Sequence, residues 1–443
     1  MLLRFRAENH RSLRDEAELS LVSSTARGPA PLDENWQDFT VRVAGIYGAN
    51  ASGKSNVLHA LDFMSRAVMF SATKWGAEDD FPYHPFSLDS THREMSSTYE
   101  IDIVVDEVRY TYGFESISSG VSSEWLYSYP ARRRRVLFER KSGQTPEMSF
   151  GRSLVGENAT ISKLTRPTAL FLSVAANNNH PVLKRIHHEI CQFKYARYTE
   201  QDKRSRIRLA TSLIKDTGIA RQAQALLRFA DLGIKGVELN EKDLGPELRK
   251  TFERVLSAIS GGEEGEGSAI AEVDKYLEGI RSQIRFIHSG GDSDSHQYGL
   301  EMSDQSAGTV AWLSIGVPAL VSLEAGDVFM VDEIDSSLHP RLTAALIHMF
   351  KDPAINPSGA QLIFTSHDSS LMGKMLDGVL ASEEIWFTEK RNDGATELYA
   401  LEEFAVRKNE NFELRYLQGR YGAIPMIDSE DLRLALVGRG ENG

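Results

Sequence analysis

Two rhythms alternate along the chain. Met1–Arg6 is extended and partly alternating, and Glu16–Val22 alternates polar with apolar residues, the period of a half-buried strand. Val43–Tyr47 is a short apolar run of the kind buried on both faces of a sheet. From Ser55 to Phe70 the apolar positions Val57, Leu58, Leu61, Phe63, Met64 and Val68 recur at helical spacing. Tyr99–Val105 and Val108–Phe114 flank Asp106-Glu107 and predict a hairpin, and Val121–Tyr129 and Val136–Glu139 extend it into an antiparallel sheet. Between 182 and 285 helical patterns dominate, as in Ile219–Phe229 and Leu248–Ile259, interrupted by the Gly/Glu loop Gly261–Ser268. After 297 an α/β rhythm returns: a helix from Thr309, a strand at Val328–Val331, a helix around Pro340–Met349, and strands at Gln361–Thr365 and Glu384–Thr388. No heptad pattern persists and no internal repeat is visible, so a long coiled coil is not expected. The expectation is an α/β fold in three parts: residues 1–180, 181–296 (helical) and 297–443.

Composition narrows the class. The chain has 443 residues, 41% hydrophobic and 26% charged, the balance of a protein that buries a core rather than of a disordered or collagen-like chain. Its net charge of −13 gives no global attraction to nucleic acid or anionic lipid. A single cysteine, Cys191, excludes an intramolecular disulfide framework and suits a reducing cytoplasm. The N-terminus lacks the apolar segment of a signal peptide, and no run approaches the ~18–20 apolar residues of a membrane span, so a cytoplasmic location is expected.

Chemistry enters at Gly48-Ala49-Asn50-Ala51-Ser52-Gly53-Lys54-Ser55, which fits G-x-x-x-x-G-K-[ST] between an expected strand and an expected helix. Such glycines let backbone N–H groups wrap phosphates at a helix N-terminus, Lys54 supplies charge on the β and γ phosphates, and Ser55 offers a hydroxyl to Mg²⁺. Val328–Val331 delivers Asp332 and Glu333 to the C-terminal end of a strand, where open α/β sheets bind ligands. Asp332 suits a Mg²⁺ shell, and Glu333 is placed to polarise an attacking water. His367 closes the strand QLIFT and could bond a γ-phosphate. Gln305-Ser306-Ala307-Gly308-Thr309 opens a helix, and reads equally as an anion site or as an ordinary N-cap.

GANASGKSN, SAGT, VFMVDEIDSSLHP and FTSHD stand in the order Walker A, signature loop, Walker B with D-loop, and switch histidine. This order resembles the ABC-type ATPases of the SMC/RecF class, and Asp332 lies 277 residues after Ser55, a split arrangement characteristic of that class. The opening FRAENHRSL resembles the N-terminal strand of RecF-like ATPases, whose Asn and Arg reach the nucleotide; Asn9 and Arg11 match. A closer resemblance, over nearly the whole chain, is to bacterial AAA-family ATPases of abortive-infection and other anti-phage operons. It includes Pro85-Phe86, TYGFE, Glu124-Trp125-Leu126, Leu137–Arg140, Ala230–Ile234 and Gly419–Pro425. Relatives are the ATPase subunits that accompany RloB-type proteins and, more loosely, the PARIS ATPase AriA and the Septu ATPase PtuA.

The resemblance implies an ABC/SMC-type head, with lobes 1–180 and 297–443 around the insertion 181–296. ATP and Mg²⁺ are the implied cofactors. ATP would be held by Gly48, Asn50, Ser52, Gly53, Lys54, Ser55, Asn56 and Arg11, with Ser55 and Asp332 on the metal and Glu333, His367 and Lys54 catalytic. Ser306, Gly308 and Thr309 of a second copy would cap the nucleotide, and Asp335 and Ser336 would cross the dimer as the D-loop. The implied function is an ATP-hydrolysing sensor or regulatory subunit of an anti-phage complex. It would form a head-to-tail dimer or higher homo-oligomer that controls a separately encoded nuclease or toxin, with no membrane partner. Two rival readings are a RecF-like DNA-repair ATPase that binds DNA directly, and a nucleotide-stabilised scaffold that sequesters a toxin. The signature reads SAGT rather than LSGGQ, and the Q-loop is unassigned, with Asn177–Asn179 or Gln201 as alternatives.

Other candidates for chemistry are few. Arg132–Arg135, with Arg140 and Lys141, is the one dense basic block, and reads as a contact to nucleic-acid phosphates or as a solvated loop between strands. His84, His180, His288 and His296 show no metal-ligand spacing, and Asp292, Asp294 and Glu301 read as a flexible acidic loop. Too little chain follows His367 for an appended Toprim-type nuclease.

Overall fold

The computed structural model describes residues 1–23, 36–77, 81–141, 147–215, 217–230, 233–241, 282–289, 297–405, 410–425 and 433. The Leu248–Ile259 helix, the Gly261–Ser268 loop, Asp292, Asp294 and His296 lie outside the described residues. The chain packs as two compact units, Met1–Phe193 with Gln361–Gly443, and Lys194–Ala360, a division that cuts it differently from the three parts read from sequence.

The first unit begins with β1 (Leu2–Glu8), β2 (Ala17–Ser20), β3 (Val43–Gly48) and the helix α1 (Lys54–Phe70). β4 (Ser97–Val105), β5 (Val108–Ile117), β6 (Gly120–Ser128), β7 (Arg135–Lys141) and β8 (Glu147–Phe150) follow, then the short helices α2 (Phe171–Asn177) and α3 (Leu183–Cys191). Seven of these strands form one antiparallel sheet in the order β2-β1-β4-β5-β6-β7-β8. The β4–β5 hairpin turns at Asp106 and Glu107, both left-handed (φ 49° and 64°), as a two-residue type I′ turn requires. The apolar stripe read from the sequence is the buried face of α1: Val57, Leu58, Leu61, Met64 and Val68 are all at most 2% exposed. Phe63 on the same helix packs against Tyr99 of the sheet, with ring centroids 4.9 Å apart.

One charged pair is sealed inside this unit. Glu124 on β6 and Arg140 on β7 are cross-strand partners, 0% and 2% exposed, with a closest N···O distance of 3.6 Å. The Glu124 carboxylate also accepts the backbone N–H groups of Phe171 (2.6 Å) and Leu172 (3.0 Å) at the start of α2, and the Tyr112 hydroxyl (3.0 Å). Arg140 donates to the carbonyls of Ala169, Arg166 and Pro167. The motif residues Glu124 and Arg140 thus fasten the 166–172 segment to the sheet. Burial pushes the Glu124 carboxyl up, against the pull of Arg140.

The second unit comprises β9 (Lys194–Ala196), α4 (Glu200–Lys215), α5 (Thr217–Ala230), β10 (Ile234–Glu241), β11 (Ser282–Ser289), β12 (Gln297–Glu301), α6 (Ala307–Ala325), β13 (Val328–Val331) and α7 (Pro340–Lys351). β13 pairs parallel to β9. β10-β11-β12 is an antiparallel sheet that begins inside the stretch read as helical and ends just beyond it, and a register shift between Ile234 and Gly236 breaks the alternation of β10. α6 packs on α4 and α5. Its Trp312 is fully buried and donates its indole N–H to Leu226 O (2.8 Å), and Arg206 of α4 donates to Ser314 O (3.2 Å). Among the described residues α6 is the one helix long and apolar enough to cross a membrane, contrary to the expectation that no run approaches that length. Its residues from Ala311 to Ala319 are buried, so its apolar character is that of a core helix.

The chain then returns to the first unit with β14 (Gln361–Thr365), β15 (Ile385–Lys390), β16 (Thr396–Ala400) and the short helix α8 (Phe412–Leu417). β3 lies between β14 and β15 and is parallel to both, and β16 pairs antiparallel to β15. Removing the guanidinium beside Glu124 strands a carboxylate in a dry core. Arg140→Met is therefore expected to cost about 3–5 kcal/mol in denaturant unfolding, and a loss below about 1 kcal/mol would contradict the structural role given to the pair.

Candidate functional site: a phosphate loop and a carboxylate turn

β3 ends at Gly48 and α1 starts at Lys54, so residues 48–53 form the loop expected from G-x-x-x-x-G-K-S. Gly48, Ala51 and Gly53 all have positive φ (154°, 61° and 110°). Glycine is required at both ends by crowding: a Cβ at Gly48 would lie 2.4 Å from Thr388 O, and one at Gly53 would lie 2.1 Å from Thr396 Oγ1. The β15–β16 hairpin is therefore the wall behind the loop. Ser52 Oγ and Thr388 Oγ1 are 2.6 Å apart, and Thr396 Oγ1 donates to Ser52 O (2.7 Å). Lys54 is 6% exposed, its Nζ folded onto Gly48 O (2.8 Å) and Ala49 O (3.1 Å). Ser55 is exposed at the first turn of α1. His367 follows β14, and Ser366 N–H donates to Ile46 O (3.1 Å), so β14 brings His367 out exposed beside the end of β3.

The second support of the loop is the Asn9–Ser12 turn. Ser12 Oγ accepts from Asn56 Nδ2 (2.6 Å) and lies 2.8 Å from Thr396 Oγ1, and Ser12 O accepts from Thr396 N (2.7 Å). Asn56 therefore faces Ser12. Asn9 and Arg11 are both left-handed (φ 53° and 52°). The RecF-like resemblance brings an asparagine here to the nucleotide region; in this chain Asn9 is fully buried, donating to the carbonyls of His92, Met95 and Ser96 and accepting from Phe86 N. Arg11 lines a cleft of about 410 Å³ with Tyr83, His84, Phe86, Lys390 and Gly394. Behind the turn, buried His10 bonds Tyr99 OH through Nδ1 (2.6 Å) and His59 Nδ1 of α1 through Nε2 (2.9 Å), with His84 edge-on to both rings. Burial pushes the His10 imidazole well below its ordinary pKa, and His59, His84 and Arg11 push it further.

In the second unit, β13 delivers Asp332 and Glu333 into a pair of tight turns. Asp332 N–H donates to Ala196 O (3.0 Å), Ser336 N–H to Glu333 O (2.9 Å) and Leu338 N–H to Asp335 O (3.2 Å). Glu333 and Ser337 are left-handed (φ 52° and 62°), an arrangement costly for residues with a side chain and common at functional turns. Ser306 caps α6, accepting from Thr309 N (3.1 Å) with its hydroxyl 2.8 Å from Thr309 Oγ1. The turn after β13 passes close by: a Cβ on Gly308 would sit 3.2 Å from Ser337 O. The phosphate loop, Arg11 and His367 thus belong to the first unit, and Asp332, Glu333, Asp335, Ser336 and the Ser306–Thr309 turn to the second.

Other sequence candidates have structural duties. Asn178 Nδ2 bonds Val174 O, Asn179 Oδ1 accepts from Lys184 and Gln201 is exposed on α4. His180 bonds Asn158 and accepts from Leu183 N at the start of α3. No cluster of metal-binding side chains occurs among the described residues. The motif Gly419–Pro425 is an aromatic clamp on the β15–β16 hairpin. Phe387 stacks on Tyr416 and Tyr421, Tyr399 OH donates to Tyr421 O (2.8 Å) and Tyr416 OH to Ala423 O (3.1 Å). Thr388 and Thr396 carry no motif signal, and Ser12, although inside FRAENHRSL, is not one of the residues that motif singles out; only a scan for hydroxyls facing the loop would have found them.

Residues 43–373 match the family described as “AAA domain, putative AbiEii toxin, Type IV TA system”. The chain belongs to this family. Among solved structures, the chain is similar to the SMC head bound to the C-terminal winged-helix domain of ScpA, with 12% identity over 91% of this chain and 98% of that one and a TM-score of 0.44. No curated protein matches. Family membership, added to the formed phosphate loop, makes the chain an AAA-type P-loop protein.

His10 is held neutral in the fold but protonates freely when unfolded, and His84, His180 and His187 are shifted in the same direction, chiefly by burial. Their contribution is complete above the ordinary histidine value of 6.5 and is lost as the pH falls below it. Thermal unfolding between pH 7.5 and 5 is expected to show falling stability, with a shallower fall in His10→Gln; equal slopes would contradict this.

Proposed function

We propose that the protein is an ATPase of the ABC/SMC type, in which residues 48–56 bind ATP and Glu333 drives its hydrolysis. The conformation of the phosphate loop supports this reading: Gly48, Ala51 and Gly53 have the positive φ values with which a backbone can curl around an anion at a helix N-terminus, and the β15–β16 hairpin braces them. Lys54 leaves its carbonyl partners to meet the β and γ phosphates. The Ser55 hydroxyl and the Asp332 carboxylate are the hard oxygen donors that Mg²⁺ takes, and the exposure of Ser55 suits that role. When bound, the metal neutralises charge on the phosphates. Glu333 accepts the proton of the attacking water, and His367 bonds the terminal phosphate. Gly48, Asn50, Ser52 and Gly53 line the phosphates, Asn56 braces the loop through Ser12, and Arg11 flanks the nucleotide from the neighbouring cleft.

Two copies close head to tail, with Ser306, Gly308 and Thr309 of one capping the nucleotide on the other and Asp335 and Ser336 crossing the interface. Ser306 and Thr309 bond each other within one chain, so capping exchanges that contact for one to phosphate. Closure is a population shift sustained by contacts to the terminal phosphate, and hydrolysis releases it. The family's toxin-system description and the resemblance to anti-phage ATPases support a cytoplasmic regulatory subunit whose closure controls a separately encoded nuclease or toxin.

Glu333→Gln is expected to bind ATP, lose turnover by at least about 100-fold and accumulate a dimer on ATP addition, measured by phosphate release and light scattering. Lys54→Ala is expected to lose both nucleotide binding and dimerisation. A monomeric Glu333→Gln protein at saturating ATP would contradict the scheme. Thr396→Val, which leaves the residues assigned to ATP intact, is expected to weaken ATP binding about tenfold, the equivalent of one hydrogen bond, in a fluorescent-nucleotide titration.

A further inference from the structure

The basic block at Arg132–Arg135 is used by nothing described so far. It forms the tip of the β6–β7 hairpin, and every residue from Ala131 to Val136 is exposed. Two overlapping turns build the tip: Arg132 N–H donates to Tyr129 O (3.2 Å) and Arg133 N–H to Pro130 O (3.2 Å). Ala131 and Arg132 are both left-handed (φ 49° and 62°), a conformation that favours Asn-Gly and is strained for Ala-Arg. Arg133 is already extended and Arg135 opens β7, so these two project to one side about 6.6 Å apart, and Arg134 projects to the other.

The four guanidiniums have different partners. Arg134 lies over the Tyr127 ring at 3.8 Å and 3.8 Å from Glu139. Arg109 of β5, opposite Tyr129, lies over the Tyr129 ring at 4.7 Å and pairs with Asp102 at 2.8 Å. The side chains of Arg132, Arg133 and Arg135 have no ion pair or hydrogen bond among the described residues. A chain of net charge −13 therefore gathers three uncompensated cations on a strained, protruding turn.

We infer that this tip is a binding site for the phosphodiester backbone of nucleic acid. The planar guanidinium fork takes two phosphate oxygens at once, and successive same-side arginines meet successive phosphates. An acidic protein partner fits less well. A protein interface needs a desolvated apolar centre, and the exposed apolar side chains of the tip are the small Ala131 and Val136, whereas a polyphosphate chain needs none. The site reads charge rather than sequence and involves neither nucleotide nor the carboxylate turn.

The test is fluorescence anisotropy of the full chain, without ATP, against labelled DNA duplex, single-stranded DNA, double-stranded RNA and polyglutamate over a range of salt. Wild type is expected to bind at least one of the nucleic acids, the three arms distinguishing which form supplies the backbone. Arg132→Gln/Arg133→Gln/Arg135→Gln is expected to bind at least about tenfold more weakly at low salt and to reduce the log–log salt slope by about 2–3, one released counterion per lost phosphate contact. Replacing all three by lysine should keep the slope, and Lys163→Gln/Lys184→Gln/Lys374→Gln, with the same charge change elsewhere, should leave binding near wild type. Unchanged melting temperatures verify that the variants fold. The proposal is overturned by no nucleic-acid binding in wild type, by an equal loss in the lysine control, or by polyglutamate binding as tightly through the same arginines.

Discussion

The hydroxyl of Thr396 braces the loop between β3 and α1. It donates to the Ser52 carbonyl, touches the Ser12 hydroxyl, and sits where a side chain on Gly53 would have to go. Thr388 does the same for the other end through Ser52 Oγ and the space beside Gly48. A phosphate loop is a set of backbone N–H groups that must point inward before any ligand arrives, since orienting them on binding would consume affinity. Here the loop is braced by hydroxyls more than 330 residues further along the chain.

The loop is therefore complete only when the C-terminal part of the first unit has folded back onto β3. The aromatic clamp of Tyr416, Tyr421 and Phe387 keeps the hairpin there, and the Asn9–Ser12 turn closes the far side. In the second unit the strained residue Glu333 is held by its own short turn after β13. On the proposed reading the phosphate loop and the carboxylate turn are each shaped locally, and what opens and closes is the pair of chain copies around the nucleotide.

Much of this was legible because glycine, lysine and carboxylates at fixed spacing have few other reasons to occur together. The strands before Gly48–Ser55 and Asp332–Glu333 are uninterrupted apolar runs and α1 carries a regular apolar stripe, and these predict them to within a few residues. The β10–β12 sheet was not legible: β10 carries a register shift and stands about 40 residues before β11, so its alternation does not stand out from the helical patterns around it. Asn9 looked like a ligand to nucleotide because its neighbours match a motif, yet its amide is consumed by the backbone of 86–96. Ser12, Thr388 and Thr396 were invisible because a hydroxyl in a strand or turn is ordinary until its partner is known.

The most direct measurement maps the nucleotide's metal onto the chain. Fe²⁺ substituted for Mg²⁺ in the presence of ATP cuts the backbone next to its ligands when peroxide and ascorbate are added, and the cut sites are read by mass spectrometry. The account predicts two ATP-dependent clusters of cuts, one at the start of α1 near Ser55 and one after β13 near Asp332, both lost in Lys54→Ala. Cuts confined to the phosphate loop, with none near Asp332, would contradict the claim that the two motifs serve one nucleotide.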